Sequence, residues 1–294
     1  MSPGAALPLD AAWLRAHPLP PLDGEVTKNT RGRVIAAGGS RRVPGALRLT
    51  GEAALRAGAG KLLLATLAEF APALGLMTPE AAVLPLPEAE GEFAPEAGDL
   101  IAEALARYDA IVLGPGMSSA EHARAVVERV LACARDGMAV VLDAVAVSCS
   151  GCFETQARSH RGRLVMTPHH GEMALLTDCD ADEIAADPAG AAITAARRFG
   201  SVVVLKAAET FVAGPDGRLL RYAGGGVGLA TGGSGDVLAG AIAGLLARGA
   251  DPFEAAARGV WLHGEAGRRA SERSGTVGFL GRELLPELPG LLGA

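Results

Sequence analysis

Residues 223–240, AGGGVGLATGGSGDVLAG, carry the side chains and spacings suited to phosphate chemistry. Gly232, Gly233 and Gly235 free the backbone to turn its N–H groups toward one point, just before a helix whose own first N–H groups have no intrahelical partner. That arrangement makes an anion hole, with Asp236 beside it. A carboxylate next to a phosphate is repelled unless it works on the acceptor, where a base within reach of a hydroxyl takes its proton during phosphoryl transfer. The bland alternative makes Asp236 an ordinary first-turn acid favoured by the helix dipole. A Walker-type loop is absent, since Gly60-Lys61 runs into Leu62, and no GxGxxG fingerprint of a dinucleotide domain occurs.

Positioning such a loop takes alternating elements, and the sequence supplies them. Aliphatic runs predict strands at Arg33–Ala37, 62–66, Ala110–Leu113, Ala139–Leu142, Leu164–Met166 and Val202–Leu205, with helices at 45–58, 120–135 and 171–176. Ser118 with Glu121 reads as a capping box for the second of these helices. A hairpin follows, Thr210–Ala213 and 218–222 about the turn Gly214-Pro215-Asp216-Gly217, then helices 236–247 and 252–270, the last with Asp251 as N-cap. Apolar residues make up 49% and aromatic residues only 4% of 294, so Ala, Leu and Val must fill the core, as in helices packed on a buried parallel sheet. The expected class is α/β, with one core and no interior domain boundary.

The 27 Lys+Arg against 33 Asp+Glu give a net charge of −6, which supplies no basic footprint for nucleic acid or an anionic membrane. The longest apolar run, 237–247, is too short to span a bilayer, and the N-terminus lacks the basic region of a signal peptide. A cytoplasmic protein with reduced thiols is expected, its four cysteines being too sparse for a disulfide scaffold. Cys149 and Cys152 have CxxC spacing without a second ligand pair, and His169-His170 lacks a third ligand.

LATGGSGDVLAG resembles the signature of ribokinase-like enzymes, and five further segments are similar to the ADP- or ATP-dependent NAD(P)H-hydrate dehydratase family. These are GGSRRVPGALRLTGEAALRAGAGK (38–61), LGPG (113–116), TPHHGEM (167–173), VVLKAAET (203–210) and WLHGEAG (261–267), in order along the chain. The resemblance implies a ribokinase-like three-layer α/β/α fold with a mainly parallel sheet and a ligand site at the carboxyl ends of its strands. It also implies repair of NADHX and NADPHX, the hydrated forms of the reduced nicotinamide cofactors. ADP or ATP phosphorylates the ring hydroxyl and phosphate is then lost, with ADP expected by analogy with bacterial members. Ala46, Gly116, His169 and Asp236 are then expected to contact the hydrated dinucleotide. Lys206, Ala207, Ala208, Glu209 and Thr210, with Gly232, Gly233 and Gly235, are expected to contact the nucleotide. Asp236 is the candidate base, and Mg²⁺ is expected through phosphate and water. A homotetramer is implied too. Residues 1–27 are expected to be an extension and 28–294 the dehydratase unit, with the epimerase that accompanies many relatives on a separate protein.

Two segments depart from the family pattern. KAAET (206–210) replaces KGxGT, setting Glu209 where a phosphorylated nucleotide approaches or on the solvent side, and DAVAV (143–147) replaces DADAL, exchanging an acid for Val145 while keeping Asp143. Read singly, Glu172 is a first-turn acid, His263 a packed helix residue, Lys61 a solvated strand end, and Arg41 and Arg42 either phosphate ligands or an exposed pair. Two other readings stand beside the dehydratase: a kinase of a small alcohol that releases a stable phosphorylated product, and a nucleotide-binding sensor that has lost turnover. The GGSRRVPGA and TPHHGE segments argue against the first, and the intact GSGD against the second.

Overall fold

The computed structural model describes residues 6–22 and 24–293; the first five residues, Asp23 and Ala294 lie outside the described residues, and with them small parts of the expected 1–27 extension and 28–294 unit. The chain opens with β1 (Leu7–Pro8) and α1 (Ala11–Ala16), then alternates through β2 (Arg33–Ala37), α2 (Ala46–Arg56), β3 (Lys61–Leu67), α3 (Ala71–Met77) and β4 (Ala81–Leu86). A short hairpin, β5 (Glu88–Ala89) and β6 (Glu92–Phe93), and α4 (Ala97–Leu105) lead to β7 (Ala110–Leu113), α5 (Ala120–Cys133) and β8 (Ala139–Leu142). Next come α6 (Val145–Ser148), α7 (Glu154–Ser159), β9 (Leu164–Met166), α8 (His170–Thr177), α9 (Ala181–Ala186), α10 (Pro188–Phe199) and β10 (Val202–Leu205). The hairpin β11 (Thr210–Ala213) and β12 (Leu219–Tyr222) precedes α11 (Ser234–Ala247), α12 (Pro252–Ser274) and α13 (Leu288–Leu291).

Ten strands form one sheet in the order β1-β12-β11-β10-β9-β8-β7-β2-β3-β4. All neighbours run parallel except at β11, which is antiparallel to both β10 and β12. Alternate residues serve the two faces: on β2, Val34 and Ala36 join the core that holds α2, α11 and α12, while Ile35 and Ala37 join the one that holds α4, α5, α8 and α10. Both faces are covered, which is why these strands read as unbroken aliphatic runs. The expected three-layer α/β/α architecture with a mainly parallel sheet is therefore the observed one.

Helix α11 is buried from Val237 to Ala247 without a break. It lies so close to α2 that a Cβ on Gly240 would stand 2.1 Å from the Thr50 carbonyl oxygen, and one on Gly244 2.4 Å from that of Ala54. Only glycine permits that approach. The amino-terminal segment also joins the core: β1 extends the sheet beside β12, Leu14 is fully buried, and the Arg258 guanidinium donates to the carbonyls of Leu14 and His17.

Several local expectations need correction. Ser119, not Ser118, caps α5 by accepting from the His122 N–H, because the Ser118 N–H and hydroxyl are committed to the Glu92 carboxylate of β6. The exposed Arg41 guanidinium pairs with Glu69 and Glu88. Helix α12 runs on to Ser274, beyond the expected 270, although Asp251 does cap it through the N–H groups of Phe253 and Glu254. Helices α1, α3, α4, α6, α7, α9, α10 and α13 were not expected from the sequence.

Candidate active site

The strand order reverses between β7 and β2, which opens a crevice at their carboxyl ends. The loops after these two strands meet there, with Gly39 N–H donating to the Pro115 carbonyl at 2.7 Å. Ala46 begins α2 against the second loop, since a Cβ on Gly116 would lie 3.0 Å from the Ala46 Cβ. Moving along the row of strand ends, β8 delivers Asp143, β9 delivers Thr167 and β10 delivers Lys206. Ala144, just after Asp143, holds φ +51° and ψ −131°. This conformation is rare for an L residue and costs on the order of 1–3 kcal/mol, so the surrounding fold must enforce it.

The Asp143 side chain is 3% exposed, and its Oδ1 accepts from both Lys206 Nζ at 2.9 Å and the Thr167 hydroxyl at 2.6 Å. Glu172 Oε2 stands 3.7 Å from the same Nζ. Burial pulls the Lys206 ammonium down, but Asp143, Glu172 and Asp236 together outweigh it and hold its pKa above the ordinary lysine value. His169 caps α8: its Nδ1 accepts from the Glu172 N–H at 3.2 Å, while the Glu172 carboxylate accepts from the His169 N–H at 2.8 Å. Backbone pairing of His169 with Lys206, and a bond from Lys206 N–H to the Pro168 carbonyl, tie the TPHHGE turn to the lysine loop.

The glycine loop faces this cluster. Gly233 takes φ +86°, where a Cβ would also press on the Leu49 side chain of α2 at 2.5 Å, so the backbone here favours glycine. A Cβ on Gly235 would lie 3.6 Å from Lys206 Nζ, which sets the ammonium against the first turn of α11. Ser234 Oγ and His263 Nε2 of α12 are 2.8 Å apart, and burial holds the imidazole down at about 4, hence neutral. Asp236 is pushed up to about 6, first by burial and then by repulsion from Asp143, against the pull of Lys206. A carboxylate so placed ionises near neutrality, the property of a usable general base.

The structure thus gathers the expected residues into two neighbouring groups. Ala46 and Gly116 stand at the β2/β7 crevice, while Lys206, Gly233, Gly235 and Asp236 surround the end of β10, with the exposed His169 ring at their edge. Ala207, Ala208 and Glu209 are exposed on the lysine loop, and Glu209 turns to Arg221 at 3.5 Å. Gly232 is exposed and nothing near it demands a glycine. Val145, the first residue of α6, packs against the core. Sequence reasoning gave no role to three residues that build the site: Asp143 as partner of Lys206, Glu172 as its second acid, and His263 as partner of Ser234. The first two sit directly after strand-and-turn signals that were visible; the third shows only in three dimensions. Cys149 is buried, its thiol pushed up to about 11 by burial, and Cys152 is exposed. No group of three or more His, Cys, Asp or Glu side chains that could hold a metal ion occurs among the described residues. No helix among them is long and apolar enough to cross a membrane.

A family model described as NAD(P)H-hydrate dehydratase matches residues 34–289. The ADP-dependent (S)-NAD(P)H-hydrate dehydratase of Xanthomonas campestris is 50% identical over 284 residues, covering 96% of this chain and 94% of the relative. The bifunctional NAD(P)H-hydrate repair enzyme of Moorella thermoacetica is 38% identical, and the chain spans 53% of its length. Among solved structures, the Bacillus subtilis ADP/ATP-dependent NAD(P)H-hydrate dehydratase co-crystallised with ATP and Mg²⁺ superposes with a TM-score of 0.81 at 29% identity, covering 98% of both chains.

Proposed function

The chain belongs to the NAD(P)H-hydrate dehydratase family, and from that premise we propose that it is a hydro-lyase returning (S)-NADHX and (S)-NADPHX to NADH and NADPH at the expense of ADP. The observation that carries the reading is Asp236, a carboxyl raised to about 6 in the first turn behind a glycine loop and facing the Lys206–Asp143 pair. In the first step Asp236 takes the proton of the nicotinamide-ring hydroxyl as its oxygen attacks the terminal phosphorus of the nucleotide. The bond from that phosphorus to the nucleotide breaks, and AMP leaves when ADP is the donor. The ring nitrogen lone pair then expels phosphate, and loss of a proton from the adjacent carbon restores the dihydropyridine. Phosphate is a far better leaving group than hydroxide, which is what the nucleotide contributes.

The first-turn N–H groups of Gly235 and Asp236, with the amides of Gly232 and Gly233 and the Lys206 ammonium, cradle the transferred phosphoryl. Residues 207–210 border the nucleotide, and Ala46, Gly116 and His169 border the hydrated dinucleotide. The donor set suits Mg²⁺ bound mainly through phosphate and water, because few protein carboxylates are on offer; Asp143 and Asp236 would face it. Bound there, the ion would neutralise phosphate charge. ADP is favoured over ATP by the name of the 50% identical relative. The same reading carries a homotetramer, a cytoplasmic location and functional partnership with an epimerase.

The test is the return of reduced-nicotinamide absorbance when the protein meets (S)-NADHX and Mg²⁺ with ADP, with ATP and without nucleotide. Recovery with ADP is expected. Recovery without nucleotide, or binding without recovery, would overturn the reading.

A further inference from the structure

A second cavity, of about 560 Å³, lies at the opposite end of the sheet, where β2, β3 and β4 begin. It opens between α2, the Thr78–Glu80 turn and α13, and its volume suits a small metabolite. Arg31, Arg48 and Arg56 line it together with the two carboxylates Glu52 and Glu80. Glu52 is shared, 2.8 Å from Arg56 Nε and 3.8 Å from an Arg48 terminal nitrogen. Arg31 spends its Nε on the Gly58 carbonyl at 3.2 Å. A fourth guanidinium, Arg248, packs directly behind Gly58, where an added Cβ would meet its Cδ at 2.6 Å.

Two guanidiniums, Arg48 and Arg56, thus share one carboxylate, two more, Arg31 and Arg248, meet at Gly58 beside them, and Glu80 is exposed at the rim. Their neighbourhood also leaves polar atoms unsatisfied: Arg48 Nε, Arg248 Nε and the hydroxyl of Thr78, a residue 4% exposed, are buried without hydrogen-bond partners. Clustered like charges and buried unpaired donors both raise the free energy of the empty site. A multiply charged anion relieves the clustering of like charge, and planar guanidiniums bind oxyanions bidentately. Leu55, Met77 and Pro289 add an apolar wall for the body of such a ligand.

We propose that this cavity binds a small, multiply charged oxyanion, a phosphate ester or a polycarboxylate, at a site separate from the one that performs the chemistry. The proposal does not depend on the identity of the reaction. It can be read by labelling the methionine methyl groups with carbon-13 in the full chain, which has six methionines. Met77 lines the cavity, whereas Met117 and Met166 adjoin Gly116 and Thr167 at the other end of the sheet. Inorganic pyrophosphate and citrate are titrated at constant ionic strength.

The expected result is a saturable shift of the Met77 methyl signal with a Kd of about 1 mM or below. The anion that saturates it at the lower concentration distinguishes phosphate from carboxylate recognition. An Arg48→Gln/Arg56→Gln double variant should weaken the effect about tenfold or more while keeping native Met117 and Met166 signals. Arg31→Gln leaves the Glu52 pairs intact and should weaken it in the same direction. A Met77 signal unmoved by either anion, or one that moves in both variants as it does in the parent, would overturn the proposal.

Discussion

Lys206 Nζ lies 2.9 Å from Asp143 Oδ1, so a cation from the end of β10 is fixed by a nearly buried carboxylate from the end of β8 across the intervening strand. The pair presents one ammonium to the glycine loop at a set position, with the Thr167 hydroxyl of the middle strand bonded to the same oxygen.

Breaking this pair from one side should be costly. Lys206→Met leaves the Asp143 carboxylate without its cation, and a loss of about 3–5 kcal/mol is expected in urea denaturation. Adding Asp143→Asn should recover part of that loss, which a double-mutant cycle would read as a coupling between the two sites.

Asp236 should show its role in two opposite ways. Its folded value, about 6, lies above the ordinary 3.8. The carboxyl therefore contributes stability below about pH 4 that is lost as pH rises through 6. Asp236→Asn removes this penalty. The variant should be about 1–2 kcal/mol more stable than the parent at pH 7.5, an advantage that fades toward pH 4, while turnover is abolished. In the parent, kcat/KM should rise with pH through an inflection near 6; a flat profile would remove Asp236 from the role of base.

His263 works in the other direction. Burial holds its folded value at about 4, below the ordinary 6.5, so the stability it contributes is complete above pH 6.5 and is lost as pH falls toward 4. Thermal unfolding at pH 7.5 and pH 5 should show this loss in the parent and a smaller one in His263→Gln, whose amide can still meet the Ser234 hydroxyl.

Glu209 is turned toward Arg221 and its side chain is 46% exposed. Restoring the family glycine by Glu209→Gly should change the KM for nucleotide by less than about fivefold, the equivalent of 1 kcal/mol for a surface pair. A tightening of tenfold or more would show that the acid does oppose the phosphates.

The parallel strands were legible because burial on both faces leaves unbroken aliphatic runs, and Ala110–Leu113, Ala139–Leu142, Leu164–Met166 and Val202–Leu205 are bounded where the sequence indicates. The hairpin about Gly214–Gly217 was equally plain from its turn residues. Helices such as α4 and α10 were legible but missed: Ala97, Ile101 and Leu105 fall at helical spacing on one, Ala192, Ala196 and Phe199 on the other, and Asp187 and Pro188 mark the start of α10. The Ser118 capping box failed for a different reason: the serine is taken by Glu92, a residue 26 positions away, and local spacing carries no record of that bond. Likewise the GSGD glycines and Asp236 stand out in sequence, while the Asp143–Lys206 pair joins residues 63 positions apart and becomes visible only once the strand order is known.

Gly240 and Gly244 let α11 rest on the backbone carbonyls of α2, and that contact acts as a ruler. Ala46 opens one helix and the GSGD turn opens the other, so the gap between these two helix starts is measured by carbonyl against Cα rather than by deformable side chains. Neither helix can slide or lean without the other. On the proposed assignment of residues, the two substrates come together by fitting into a spacing already cast in the backbone, and a methyl group added at Gly244, roughly 13 Å along the helix from Gly235, would miscalibrate it from a distance.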